Sequence, residues 1–204
     1  QFNLYDIKFL QMILNMPQWT SYMVTTEKPL FTATQCQDII NAGHNEKLQE
    51  AELSVKDPKS KINKNKRNTN ISWIPFDKLP QMYESVEQTL YNININHFGF
   101  EDVNITEPAQ FTEYNKDGFY DWHMDLNISG KNSPPVRKIS MTILLSDPST
   151  FTGGELEFME KNKFSDLKQG QAIFFASFIR HRVAPVQKGI RRSLVMWFGG
   201  KPFK

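Results

Sequence analysis

His123 and Asp125 stand two residues apart in FYDWHMD, the stretch from Phe119 to Asp125, in a chain with only four histidines. On a strand, residues i and i+2 project from the same face, so an imidazole and a carboxylate at this spacing can grip one metal ion. The pair alone is weak. Asp and Glu make up 22 of 204 residues, so four histidines produce such a pair by accident in about 40% of comparable chains. By itself the motif is as readily structural as catalytic. Downstream, His181 lies in FIRHRVAPV, a run that alternates as a strand does. A closing sheet that brought it beside the pair would complete a 2-His-1-carboxylate triad, a donor set that suits Fe(II) and leaves coordination positions open. A structural zinc site closes all four positions, and no fourth His or Cys ligand is evident.

Ten residues after His181 comes Arg191, in KGIRRSLVMWFGG. A strand from there carries Arg191, Ser193, Val195 and Trp197 on one face and Arg192, Leu194, Met196 and Phe198 on the other. A guanidinium at the inner end of such a face can hold a carboxylate through two parallel hydrogen bonds. That is what a dicarboxylate needs at its far end while its 2-oxo acid end chelates iron. Taken alone, Arg191 and Arg192 are equally well surface arginines of an edge strand. Glu155 and Glu157 read as strand-edge alternation, and Tyr120 and Trp122 as packing that alternates with the His123 face. His44 and His97 follow helical segments and read as capping or surface residues.

The elements that must position these groups change character along the chain. Leu4, Ile7, Leu10 and Leu14 have helical spacing, which Pro17 stops. Thr32 to Gln35 fits a capping box for a helix that carries Ile39 and Ile40 and ends at Gly43. Leu79, Met82, Val86 and Leu90 make one stripe of a helix over about 78–97. From Ala109 onward come aromatic and β-branched runs broken by Gly, Pro, Asn and Asp. They predict strands near 109–115, 119–125, 137–146, 154–159, 171–176, 180–186 and 190–199. Two packed sheets or a barrel, buttressed by helices on one face, is the natural product. No repeat and no clean linker is visible, so the expectation is one domain over 1–204, with helical support over about 1–100 and a β core over about 105–200.

Composition narrows the class further. With 39% hydrophobic residues and sixteen Phe, the chain can bury a full core. A net charge of +2 takes no side on nucleic acid. The one local excess is KDPKSKINKNKR, residues 56–67, where six of twelve are Lys or Arg. It reads as a solvated loop or as a mouth that attracts an acidic substrate. It has no interleaved aromatics to stack bases, which argues against nucleic acid. A single cysteine, Cys36, excludes an intrachain disulfide and a cysteine metal cluster, and reads as a small buried hydrophobe. No apolar run reaches the length of a membrane span, and the first residues lack a secretory signal's basic flank and cleavage site. A reducing, cytoplasmic compartment without a membrane partner is the expectation; oligomeric state is not legible.

Four ordered stretches, RNTNISWIP, QFTEYNKDGFYDWHMDLN, RKISMTILLSDPSTFTGGELEF and HRVAPVQKGIRRSLVMWF, carry a family resemblance over about residues 67–203. The chain resembles the Fe(II)- and 2-oxoglutarate-dependent dioxygenases, specifically the prolyl-4-hydroxylase-like branch. The resemblance implies an α+β chain, mainly β with flanking helices, around a double-stranded β-helix (jelly-roll) core. It implies His123, Asp125 and His181 as iron ligands and Arg191 as the clamp on the 2-oxoglutarate C5 carboxylate. Tyr114 matches a tyrosine that commonly helps hold the co-substrate, and Ser140 falls where a strand Ser or Thr often adds a hydrogen bond. Some relatives carry a further tyrosine where this chain has Leu144, a departure in the detail of co-substrate binding.

The activity so implied consumes 2-oxoglutarate and O₂, releases succinate and CO₂ and hydroxylates a C–H bond, with ascorbate as a candidate activator. Peptidyl proline is the leading substrate. One alternative is a free amino acid or other small metabolite, for which Arg137, Lys138 or Arg192 would supply an extra charged clamp and the 126–136 loop a cover. Another is a non-catalytic jelly-roll that binds a metal or a partner protein.

Overall fold

Alternation along the C-terminal half sorts its residues between two environments, and the computed structural model shows both; it describes residues 22–51, 63, 65–126, 135–159, 163–164 and 166–203. The elements in chain order are β1 (Met23–Thr25), α1 (Ala33–Asn45), β2 (Gln49–Glu50), β3 (Arg67–Asn68), β4 (Asn70–Ile74) and α2 (Pro80–Ile93). A π-helical turn (Asn94–Phe98) leads to β5 (Asn104–Ile105), β6 (Ala109–Tyr114), β7 (Phe119–His123) and β8 (Val136–Leu144). Then follow β9 (Thr152–Gly153), β10 (Leu156–Phe158), β11 (Lys163–Phe164), β12 (Ala172–Ala176), β13 (His181–Val183), β14 (Val186–Lys188) and β15 (Arg191–Gly200). The larger sheet runs β1-β12-β8-β15-β6-β4-β2 with β5 on β15; the smaller runs β11-β10-β13-β7-β3, and β14 pairs with β9. This is the expected jelly-roll core with helices on one side.

One face of the larger sheet carries Phe111, Ile139, Met141, Ile143, Phe174, Leu194, Met196 and Phe198, all fully buried in one cluster with Ile39 and Ile40 of α1 and Met82, Val86 and Leu90 of α2. The other face meets the smaller sheet: Tyr114, Leu144, Ile173 and Phe175 pack with Leu156, Phe158 and Val183. Each helix therefore needs only one apolar stripe, while the strands are buried on both faces. The inner face is where polar residues collect. Thr112, Ser140, Ser193 and Arg191 are all at least 98% buried there.

Several expectations shift. The Thr32–Gln35 capping box is present, but Gly43 does not end α1, which continues to Asn45. A Cβ at Gly43 would fall 2.3 Å from Phe111 Cγ, so the glycine is there to let the helix lie against the sheet. The 78–97 helix is α2 followed by the π-helical turn, closed by Gly99 at φ 61°. The supposedly helical first hundred residues also supply β1 to β4, because short paired strands carry too little periodicity to declare themselves. The 180–186 strand is two, β13 and β14, assigned to different sheets. Cys36 is fully buried and its thiol is pushed up to about 11 by burial, as befits a packing residue. The 2–14 helix, most of the basic 56–67 run and residues 127–134 of the loop after Leu126 lie outside the described residues.

Candidate metal and co-substrate site

Strand pairing creates the cluster. His181 opens β13 directly opposite His123, the last residue of β7. Asp125 lies beyond the end of β7, so the pleat alone does not aim it, contrary to the one-strand expectation. Instead the backbone N–H groups of Asp125 and Leu126 both donate to the Ser177 carbonyl, at 3.0 and 2.9 Å. That anchor turns the carboxylate between the histidines. His123 Nε2 lies 3.5 Å from Asp125 Oδ1, and His181 Nε2 lies 3.5 Å from Oδ2. Each residue offers one ligand atom, and these three atoms lie within 4.8 Å of one another.

The two imidazoles are oriented by the same local device. His123 Nδ1 sits 2.8 Å from the Asp121 carbonyl, and His181 Nδ1 sits 3.0 Å from the Ile179 carbonyl. A carbonyl can only accept, so the ring proton belongs on Nδ1 and the lone pair on Nε2, the tautomer a metal ligand needs. Phe175 and Phe158 stand 4.6 and 6.0 Å from the His181 ring. Burial drives the His181 pKa down to about 4 despite the opposing pull of Asp125, so the ring is neutral near pH 7. Burial alone would raise the Asp125 pKa, but His181 and His123, with a hydrogen bond from Ser140, hold it well below the carboxylate range. Two imidazoles that present Nε2 to one ionised carboxylate are the donor set of a 2-His-1-carboxylate iron site.

Tyr120 differs from expectation. The register shifts between His181 and Val183, which face His123 and Tyr120. Two residues therefore oppose one, a β-bulge that returns Tyr120 to the side of His123. Its ring stacks on His123 with centroids 3.5 Å apart. Ser140 lies at the metal end of the site: its hydroxyl is 2.9 Å from that of Ser177 and also reaches Asp125. Ser177 escaped sequence reasoning; the only available signal was a serine closing the apolar strand AIFFA.

Arg191 begins β15 opposite Tyr114. It is 2% exposed, its Nη1 donates to Ser193 Oγ at 3.1 Å, and its guanidinium carbon lies 5.5 Å from the Tyr114 ring. No described carboxylate pairs with it. Burial lowers its pKa, with Tyr114 and Glu155 opposing, so the site holds a cation with unmet demand for an anion. It lines a pocket of about 270 Å³ together with Leu144, Leu167, Gly154 and Glu155. The Gly153-Gly154 turn runs at φ +75° and +70°, and a Cβ on Gly154 would meet Arg191 Cδ at 2.8 Å. Gly154 therefore serves both the turn and the arginine.

The other charges are engaged elsewhere. Arg137 grips Glu107, with its Nε at 2.6 Å. Lys138 Nζ donates to the Glu101 carbonyl. Arg192 Nε meets Glu113 at 2.7 Å, and Glu113 also meets His44 at 3.0 Å. None of the three expected clamp residues is free for a substrate. His44 is thus a hydrogen-bond partner of Glu113, and Glu157, 8% exposed and 2.7 Å from Arg182 Nε, is more than edge alternation.

Comparison with known proteins agrees with this geometry. Residues 109–199 match the model of the 2OG-Fe(II) oxygenase superfamily. A PKHD-type hydroxylase of Xylella fastidiosa is 32% identical over 101 residues, 45% of this chain and 44% of its own length. One of Synechococcus is 38% identical over 80 residues, covering 38% of this chain and 35% of its own. The matches thus span less than half of these curated relatives. Among solved structures, a prolyl hydroxylase of Trichoplax adhaerens in complex with a peptide fragment of hypoxia inducible factor superposes with TM-score 0.70 at 16% identity, covering 98% of this chain and 94% of that one. A viral collagen prolyl hydroxylase of Paramecium Bursaria Chlorella virus-1, in a 2OG complex, gives 0.66 at 19% identity, covering 89% and 97%. These likenesses establish the fold. Among the described residues no helix is long and apolar enough to cross a membrane.

Proposed function

We propose that this chain is an Fe(II)- and 2-oxoglutarate-dependent hydroxylase, with a peptidyl proline as the leading substrate. The carrying observation is two imidazole Nε2 atoms of the smaller sheet around one ionised carboxylate, with a buried arginine on the inner face of the larger sheet that has no acidic partner among the described residues. His123, Asp125 and His181 would hold the iron, and Arg191 with Tyr114 would take the far carboxylate of 2-oxoglutarate. Bound Fe(II) supplies the oxygen chemistry that couples decarboxylation of 2-oxoglutarate to hydroxylation. The chain's own part is positional. The Asp121 and Ile179 carbonyls fix the imidazoles, Ser177 and Ser140 steady Asp125, and Leu144 and Leu167 dry the co-substrate pocket.

Prolyl hydroxylases among the fold's neighbours, one with a bound peptide, support the substrate class. Ascorbate as activator, a single domain over 1–204 and a cytoplasmic location belong to the same proposal. A non-catalytic jelly-roll is disfavoured, since it has no need of a buried unpaired arginine beside the triad. Anaerobic titration tests the reading: a visible charge-transfer band should require both Fe(II) and 2-oxoglutarate and vanish in His123→Ala. No band in the wild-type protein, or one indifferent to that substitution, contradicts it.

A further inference from the structure

Five arginines among the described residues are buried or half-buried: Arg67, Arg137, Arg182, Arg191 and Arg192. Three have carboxylate partners, namely Glu107, Glu157 and Glu113. Arg191 awaits the co-substrate in the reading above. Arg67 is the fifth, and no described carboxylate meets it. Its Nη2 donates to Gln110 Oε1 at 3.0 Å, a neutral amide that is itself 97% buried. Its Nε is buried with no acceptor among the described residues. A buried, unmatched guanidinium donor is expensive to keep unless something supplies the acceptor.

Its position is informative. Arg67 pairs across the sheet with Tyr120 and lies over that ring, 4.4 Å from the centroid, while the same ring stacks on His123. Gln110 sits at the end of β6 opposite Tyr114, facing Val195 on β15. Tyr114 feels the charges of Arg67, Arg191 and Asp125 together, so both arginines and the triad border one interior, which Arg67 enters from the Tyr120 side. Trp197, on that same face of β15, has a second buried donor without an acceptor, its indole Nε1. Guanidinium and indole N–H groups can only donate. What completes them must accept, and beside a cation it is best an anion.

We propose that Arg67 is a substrate-recognition residue that takes a carboxylate of the prime substrate, beside the Tyr120 ring that stacks on His123. This deepens the hydroxylase reading and rests on it. It moves the charged clamp from Arg137, Lys138 and Arg192, which are occupied, to an arginine that is not. The carboxylate is either that of a free amino acid or an acidic side chain flanking the target residue in a peptide; the recognition chemistry is the same.

The test uses protein loaded with redox-inert Zn(II) and 2-oxoglutarate, and reads binding by ligand-observed NMR. Matched probes separate the two sources: L-proline against L-prolinamide, and acetyl-Asp-Pro-Gly-amide against acetyl-Asn-Pro-Gly-amide. In at least one pair the acid should bind about ten- to a hundredfold more tightly than its amide. Arg67→Gln should abolish that preference and Arg67→Lys should retain part of it, with circular dichroism and thermal melting showing both variants folded. No acid preference in either pair, or one that survives Arg67→Gln, overturns the assignment. Succinate release by the wild-type Fe(II) protein separates the two levels. If it is absent, the hydroxylase reading fails; if it is present without acid preference, only the Arg67 role fails.

Discussion

Arg191→Ala is the substitution whose consequence follows most directly from the geometry. The guanidinium is 98% buried, has Ser193 as its hydrogen-bond partner, and faces a pocket that a dicarboxylate would enter. Two parallel bonds to a carboxylate, each about 1.5–3 kcal/mol for a charged group, disappear, and the carboxylate is left buried without its partner. Truncating one side of a buried hydrogen-bonded charge pair costs about 2–5 kcal/mol. The 2-oxoglutarate KM should therefore rise by roughly thirtyfold to a few thousandfold. Arg191→Lys keeps the charge without the fork and should fall between the two. The assay is succinate formation against 2-oxoglutarate concentration, with kcat recovering toward wild type at saturation. Thermal melting without ligand separates this from unfolding. The arginine is an uncompensated buried charge there, so its loss should not cost the stability that loss of a paired one would. A KM within threefold of wild type in a folded Arg191→Ala protein would refute the argument.

Two further outcomes follow from particular contacts. Gly154→Ala forces a side chain into a φ of +70° and against Arg191 Cδ at 2.8 Å and Val186 at 2.9 Å; it should cost about 1–3 kcal/mol in denaturant unfolding and also raise the 2-oxoglutarate KM. Burial would raise the Glu113 pKa, but hydrogen bonds and charge from His44 and Arg192 outweigh it, and the net shift is downward from 4.5. A depressed carboxylate pKa stabilises the fold above the unfolded value and loses that contribution as pH falls through the folded one. Wild-type stability should thus decline below about pH 4.5 more steeply than that of Glu113→Gln, which already lacks the ionic contribution at neutral pH. Denaturant unfolding across pH 3–7 reads this, and identical slopes would remove Glu113 from the role.

What the sequence made legible divides by the range of the interaction. β15 was readable because Arg191 to Phe198 divide between two faces before the register shifts at Gly199, and its inner set Arg191, Ser193, Val195 and Trp197 is assigned as expected. His123 and His181 were readable as types, but their meeting depends on pairing between β7 and β13, which no local pattern reports. Asp125 was right as a candidate and wrong in its geometry, because a main-chain anchor at Ser177 orients it rather than the pleat. Tyr120 was placed on the wrong side of its strand because a β-bulge breaks the period of two, and a bulge is a property of two strands together. Arg67 and Gln110 gave no signal, since an arginine lacking a carboxylate can be recognised only once every other pairing is known.

The central claim is an iron-dependent reaction that consumes 2-oxoglutarate at the His123, Asp125 and His181 cluster. It is tested most directly by loading the protein anaerobically with Fe(II) and 2-oxoglutarate, admitting oxygen, and measuring succinate beside a His181→Ala control. The expected result is succinate from the wild-type protein and none above background from the variant, with no prime substrate required because slow uncoupled turnover suffices. Succinate from both at equal rates, or a wild-type protein that neither binds iron nor forms succinate, would contradict the account.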